Sequence, residues 1–87
     1  MNRLFIIVVD TLEIRGVVSP AELPEVVSDF YRISKMKGAK PDYKGEGLFI
    51  AVKEEVQVKL TIGAYHKGIP SKTLMEALEE AMEKAFK

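Results

Sequence analysis

His66 is the only imidazole in the sequence, and it stands between Tyr65 and Lys67 in a stretch bounded by Gly63 and Gly68. An imidazole can take or give a proton near neutral pH. To act as a general base it needs a nucleophile in hydrogen-bond reach and a carboxylate that orients its ring. Ser71 is the nearest hydroxyl in that direction, but its place ahead of an amphipathic run makes it a helix cap first. With no partner converging on it, a packing or exposed turn histidine is the simpler account of His66, and a small-ligand or enzyme site there stands as an alternative. The chain has a single histidine and no cysteine. That excludes a multi-histidine metal site within one chain, thiolate nucleophiles, zinc–sulfur sites and disulfides.

Three further groupings could bear chemistry. The Gly63–Gly68 stretch runs toward a helix start, where backbone amides can receive an anion, but it lacks the glycine spacing of known phosphate loops. Arg32, Lys35, Lys37, Lys40 and Lys44 surround Tyr43, opposed only by Asp42 and Glu46. A basic loop with an aromatic can track a single-stranded nucleic acid and stack a base. Five cations are modest in a neutral protein, however, and basic residues at a helix end also complement its dipole. Glu76, Glu79, Glu80 and Glu83 recur at helical spacing, which a solvated face with Glu80–Lys84 and Glu83–Lys87 pairs explains better than a calcium site. No catalytic, metal-binding or cofactor-binding residue is assigned. The candidate interaction surface is Arg32, Lys35, Lys37, Lys40, Tyr43, Lys44, Tyr65, His66 and Lys67.

The elements that must position these residues belong to one domain, since the chain has 87 residues, 47% of them hydrophobic. A domain this small has a thin core, which an oligomer can extend. Thirteen basic and thirteen acidic residues cancel, so no global field draws the chain to nucleic acid or anionic lipid. The only side-chain amides are Asn2 and Gln57, while Lys and Glu abound, a balance that leans toward a thermophilic source. The apolar run 4–9 ends at Asp10 and is too short for a secretory or spanning segment. Cytoplasmic residence is the expectation.

That run, Leu4 to Val9, reads as a strand covered on both faces. Residues 12–18 alternate, with Leu12, Ile14, Gly16 and Val18 on one side. Asp10-Thr11 either turns the chain between two strands or bends one long strand. Ser19-Pro20-Ala21-Glu22 has the features of a capping box with proline in the first turn. Helical spacing of Leu23, Val26, Val27, Phe30 and Tyr31 follows. Pro24 leaves two starts open, one at Pro20 and one at Pro24; the helix should end near Met36, before Gly38. Residues 37–47 hold three glycines and a proline and read as a loop.

Residues 48–62 form an antiparallel hairpin turned by Glu54-Glu55. Leu48, Ile50, Val52, Val56, Val58, Leu60 and Ile62 are expected on its buried face, with Phe49, Ala51, Lys53, Gln57, Lys59 and Thr61 opposite, where one side of residues 4–9 joins them in a mixed surface suited to self-association. Gly63–Gly68 is a second loop, and Pro70-Ser71 opens a helix reaching residue 86 that packs on the hairpin. Its stripe is Leu74, Met75, Leu78, Ala81, Met82, Ala85 and Phe86. The expected fold is α+β: a two-layer sandwich of three to four antiparallel strands with two helices on one face, in the order β(β)αββα.

Residues 14–87 resemble the alkaline-shock-protein family, the general or envelope stress response family of Gram-positive bacteria. The carriers are Ile14-Arg-Gly16-Val-Val18-Ser19, then Glu25-Val26-Val27 and Gly47-Leu-Phe-Ile-Ala-Val52. Val56-Gln-Val58-Lys-Leu60-Thr-Ile62 and Tyr65-His-Lys-Gly68-Ile69-Pro70 complete them. Here His66-Lys67 separates the tyrosine and glycine that the family keeps adjacent. The family commonly continues past its last helix into a further strand, and residues 3–9 are expected to fill that place in the sheet. The resemblance implies a non-enzymatic scaffold in a stress setting, with a protein partner or a second copy of itself, and in some relatives an indirect link to membranes. It brings no catalytic residues. An RNA-binding domain built on the 32–44 stretch is the alternative.

Overall fold

The computed structural model describes residues 2–68 and 73–86. Five strands form one antiparallel sheet. They are β1 (Asn2–Val9), β2 (Leu12–Val18), β3 (Lys40–Gly45), β4 (Leu48–Lys53) and β5 (Val56–His66), in the spatial order β2-β1-β5-β4-β3. Two helices, α1 (Leu23–Met36) and α2 (Leu74–Ala85), cover one face. The α+β class holds, but the sheet has five strands instead of three or four. β1 lies inside the sheet, between β2 and β5.

Three two-residue connections make the hairpins. Val9 pairs with Leu12, Gly45 with Leu48 and Lys53 with Val56. The first turn residue has positive φ each time: Asp10 at 52°, Glu46 at 54° and Glu54 at 56°. Such turns match the right-handed twist of the strands they join. Asp10-Thr11 therefore separates two strands. Glu46-Gly47 creates the strand that was expected to be loop. β3 is short, polar and at the sheet edge, where Pro41 loses no hydrogen bond to a further strand, so it lacks the apolar alternation by which strands are read.

A short 3₁₀ turn over Pro20–Glu22 precedes α1, which begins at Leu23. The Ser19 side chain makes no capping bond; its carbonyl instead accepts from the Glu22 N–H at 3.1 Å. Opening a helix with Pro24 in its first turn costs no intrahelical bond, because N–H groups there lack partners anyway. α2 is capped by Thr73, whose Oγ1 accepts from the Glu76 N–H at 3.2 Å. The expected opening at Pro70-Ser71 falls outside the described residues. α2 lies over β1, β2 and β5, so it touches one strand of the 48–62 hairpin, while α1 packs on α2 and β3.

The core is fed by Phe5, Ile7 and Val9 of β1, Phe49 and Ala51 of β4, and Val58, Leu60 and Ile62 of β5. Val26, Phe30 and Ile33 come from α1, and Leu74, Ala77, Leu78, Ala81 and Met82 from α2. Each large aliphatic or aromatic side chain here contributes about 1.5–3 kcal/mol by leaving water. Ser34 is buried too; its Oγ donates to the Phe30 carbonyl at 2.6 Å, so its burial leaves no polar group unpaired.

Candidate interaction surface

The pairing of β4 with β5 overturns the expected faces of β4, while β5 keeps Val58, Leu60 and Ile62 inside and Gln57, Lys59 and Thr61 outside as expected, with Val56 at its start exposed. Phe49 sits opposite Leu60 and Ala51 opposite Val58, so Phe49 and Ala51 point into the core. Leu48, Ile50 and Val52 point away from the helices, beside Thr61, Lys59 and Gln57. Both faces of β4 are apolar, so hydrophobicity does not choose between them. The two-residue turn at Glu54-Glu55 does, by pairing Lys53 with Val56 and thereby every residue before and after.

The face that the described residues leave uncovered follows from the register. β1 contributes Leu4, Ile6 and Val8, and β4 contributes Leu48, Ile50 and Val52, all partly exposed. Between these two aliphatic stripes runs the polar side of β5, with Gln57, Lys59 and Thr61 exposed. Charges mark the edges: Glu13 and Arg15 on β2, Lys40 and Asp42 on β3. Across the sheet, one row reads Arg15, Ile6, Thr61, Leu48. The next reads Glu13, Val8, Lys59, Ile50, Asp42. Arg15 bonds Glu13 at 2.7 Å and Lys44 bonds Asp42 at 2.9 Å. The hydrogen bond and the positive charge of Lys44 hold the Asp42 carboxyl below its ordinary value.

The nine residues proposed from sequence do not share one surface. Arg32 and Lys37 line a groove between the helices, opposite Glu76, Glu79 and Glu83. Arg32 is also bonded to Asp29 at 3.1 Å and lies 3.6 Å from the Met36 sulfur. Lys35 is exposed in the last turn of α1. Lys40 belongs to the open sheet face, whereas Tyr43 turns to the helix side, its ring 4.6 Å from that of Phe49. The Tyr43 hydroxyl accepts from the Gly47 N–H at 3.2 Å. The cations and the aromatic that a single strand would need together thus point to different sides.

Residues 63–66, expected as loop, continue β5 past an irregularity in its pairing with β1. Tyr65 pairs with Arg3, whose guanidinium carbon lies 5.2 Å from the tyrosine ring centre. His66 Nδ1 accepts from the Gly68 N–H at 2.9 Å, and Asn2 donates to the Gly68 carbonyl at 3.1 Å. This turn folds over Val17, which is 8% exposed although it is on the otherwise open face. One ring nitrogen of His66 thus serves a backbone turn. Lys67 beside it is exposed. A second hollow is walled by Leu23, Val27, Phe49, Ile62 and Ala64, with Arg3 and Glu46 at its rim.

Among the described residues no group of three or more His, Cys, Asp or Glu could hold a metal ion, and no helix is long and apolar enough to cross a membrane. One side of residues 4–9 was expected on this face, whereas Leu48, Ile50 and Val52 of β4 were expected in the core. The signal that finds them is the length of the Glu54-Glu55 turn, which sets the parity of β4 against β5. Comparison with protein-family models, curated proteins and solved structures returns no match.

Proposed function

We propose that this chain is a non-catalytic protein-interaction module whose working surface is the uncovered face of its sheet. One observation carries the reading. An antiparallel sheet with one solvated face normally alternates apolar inside with polar outside. Here β1 and β4 put an aliphatic side chain at each open-face position from Leu4 to Val8 and from Leu48 to Val52. Leaving six such side chains partly in water is unfavourable by the same hydrophobic term that builds the core, so a covering surface is favoured. The mixed charges at the sheet edges supply orientation.

This reading agrees in kind with the scaffold that the resemblance to the alkaline-shock family implies, and membership of a stress-response system in the cytoplasm is part of the proposal. The test uses three chains immobilised at equal density: the natural one, Ile6→Glu with Ile50→Glu, and a helix-side control, Glu79→Lys. Circular dichroism first establishes that each is folded. A host protein held by the natural chain and the control, and lost from the open-face double variant, supports the proposal. Binding that survives the double variant, or turnover of a substrate, overturns it.

A further inference from the structure

We infer that the partner of this face is a second copy of the chain, docked face to face by a two-fold axis that runs across the strands between the Arg15 row and the Glu13 row. The inference rests on the docking reading above and adds occupant and geometry.

The argument is one of self-complementarity. A two-fold contact brings a patch against itself, so its charges must find opposites under the rotation. Two axes keep aliphatic stripe on aliphatic stripe. An axis along β5 lays β1 over the second copy's β4 within one row. It stacks Lys59 on Lys59 and Glu13 on Asp42, like charge on like. An axis across the strands lays each strand over its own copy and exchanges the two rows. Glu13 then meets the second copy's Arg15, Ile6 meets Val8 and Leu48 meets Ile50. Lys59 meets Thr61, whose hydroxyl accepts from the amine, and the two Lys59 side chains are displaced from each other along the strand. Asp42 falls toward the end of β3 that carries Lys44. The rows that dictate these meetings are the observed cross-strand partners.

Size agrees with a modest dimer. Five strands about 4.8 Å apart and the two rows that the axis exchanges give a footprint of about 330 Å² per copy. That is below the roughly 800 Å² per partner of standard stable interfaces. Aligned packing of two twisted sheets turns them by about 30°, and the long side chains of Glu13 and Arg15 span the offset this introduces at the edge. Dissociation in the micromolar range or weaker is expected.

The experiment uses the whole chain. Sedimentation equilibrium from micromolar to near-millimolar protein measures the dimer constant at low salt. The natural chain is expected to dimerise, and Ile6→Glu to remain monomeric though folded by circular dichroism. Glu13→Arg leaves two cations on the β2 edge and Arg15→Glu leaves two anions, so each alone dimerises about tenfold more weakly. An equimolar mixture of the two recovers dimerisation as a heterodimer, resolved by native mass spectrometry. A natural chain that stays monomeric throughout overturns the inference, as does a mixture no tighter than its components. If the natural chain stays monomeric while a host protein still leaves the face on Ile6→Glu with Ile50→Glu, docking stands and self-association falls.

Discussion

The ring of Phe5 lies directly over Gly16, its cross-strand neighbour on β2, so that a Cβ built at Gly16 would come within 2.5 Å of the Phe5 Cζ. Phe5 is fully buried. The glycine is the space into which the largest β1 side chain closes, and it lets β2 sit beside an aromatic without a bulge.

Gly16→Ala is therefore expected to overpack the core and lower stability by about 1–3 kcal/mol. Urea unfolding checks the value. In a Phe5→Leu background the same change should cost less, because the atoms it strikes are gone, and the double-mutant cycle reads that coupling. Equal cost in both backgrounds would disconnect the pair.

The parity of β4 makes a second prediction. Phe49→Ala should destabilise by about 3–5 kcal/mol, as a large-to-small change in a core. Ile50→Ala, on the open face, should cost about 1 kcal/mol or less in dilute protein. The reverse order in denaturant midpoints would return β4 to the face expected from alternation alone.

Gly47 and Gly45 both have positive φ, 79° and 90°. A Cβ at Gly47 would strike the Ile62 carbonyl oxygen, whereas at Gly45 it meets nothing within 4 Å. Gly45→Ala should cost only the left-handed backbone penalty, about 1–2 kcal/mol. Gly47→Ala should cost more, since the backbone must also move, and the Ile62 N–H to Gly47 carbonyl bond of 2.9 Å should weaken. Amide exchange at Ile62 reports that bond directly.

Asp42 gives the pH prediction. Lys44, by hydrogen bond and charge, lowers its carboxyl from the ordinary 3.8. The folded chain then binds this proton less readily than the unfolded chain. The stabilising contribution is present above the unfolded value and is lost as pH falls through the folded one. Carboxyl-detected NMR titration should show the Asp42 midpoint below 3.8 in the natural chain, and Lys44→Ala should raise it toward that value. An unmoved midpoint would remove Lys44 as the cause.

Thr73→Ala should lower stability by about 0.5–2 kcal/mol, the usual cost of an N-cap. Thermal unfolding measures it, and Thr73→Ser, which keeps the accepting oxygen, should recover most of the loss.

Much of the architecture was legible because it is local. The apolar run at β1, the alternation of β2 and β5, the end of α1 at Met36 and the Leu74–Met82 stripe of α2 each answer to neighbours within a turn or two. β3 was not legible: Lys40-Pro-Asp-Tyr-Lys has the composition of a loop. It becomes a strand because Glu46 accepts a left-handed conformation and returns the chain alongside β4. The candidate surface fared differently. Its cations were visible as types, but α1, the β3 edge and the turn after β5 carry them to separate sides.

Local sequence determined the two helices and the strands at residues 4–9, 12–18, 48–53 and 56–62, because backbone propensity and side-chain period act over a few residues; it did not find β3 or the end of β5. It also excluded thiolate and multi-histidine chemistry, through composition. Tertiary structure decided which apolar face of β4 is core and which is surface. Leu48, Ile50 and Val52 are as hydrophobic as Phe49 and Ala51, so alternation alone has two solutions. The two-residue turn at Glu54-Glu55 sets the parity of β4 against β5, and two short helices bring enough apolar surface to cover only one side of a five-stranded sheet. The side left over is where the aliphatic stripes and their bordering charges lie.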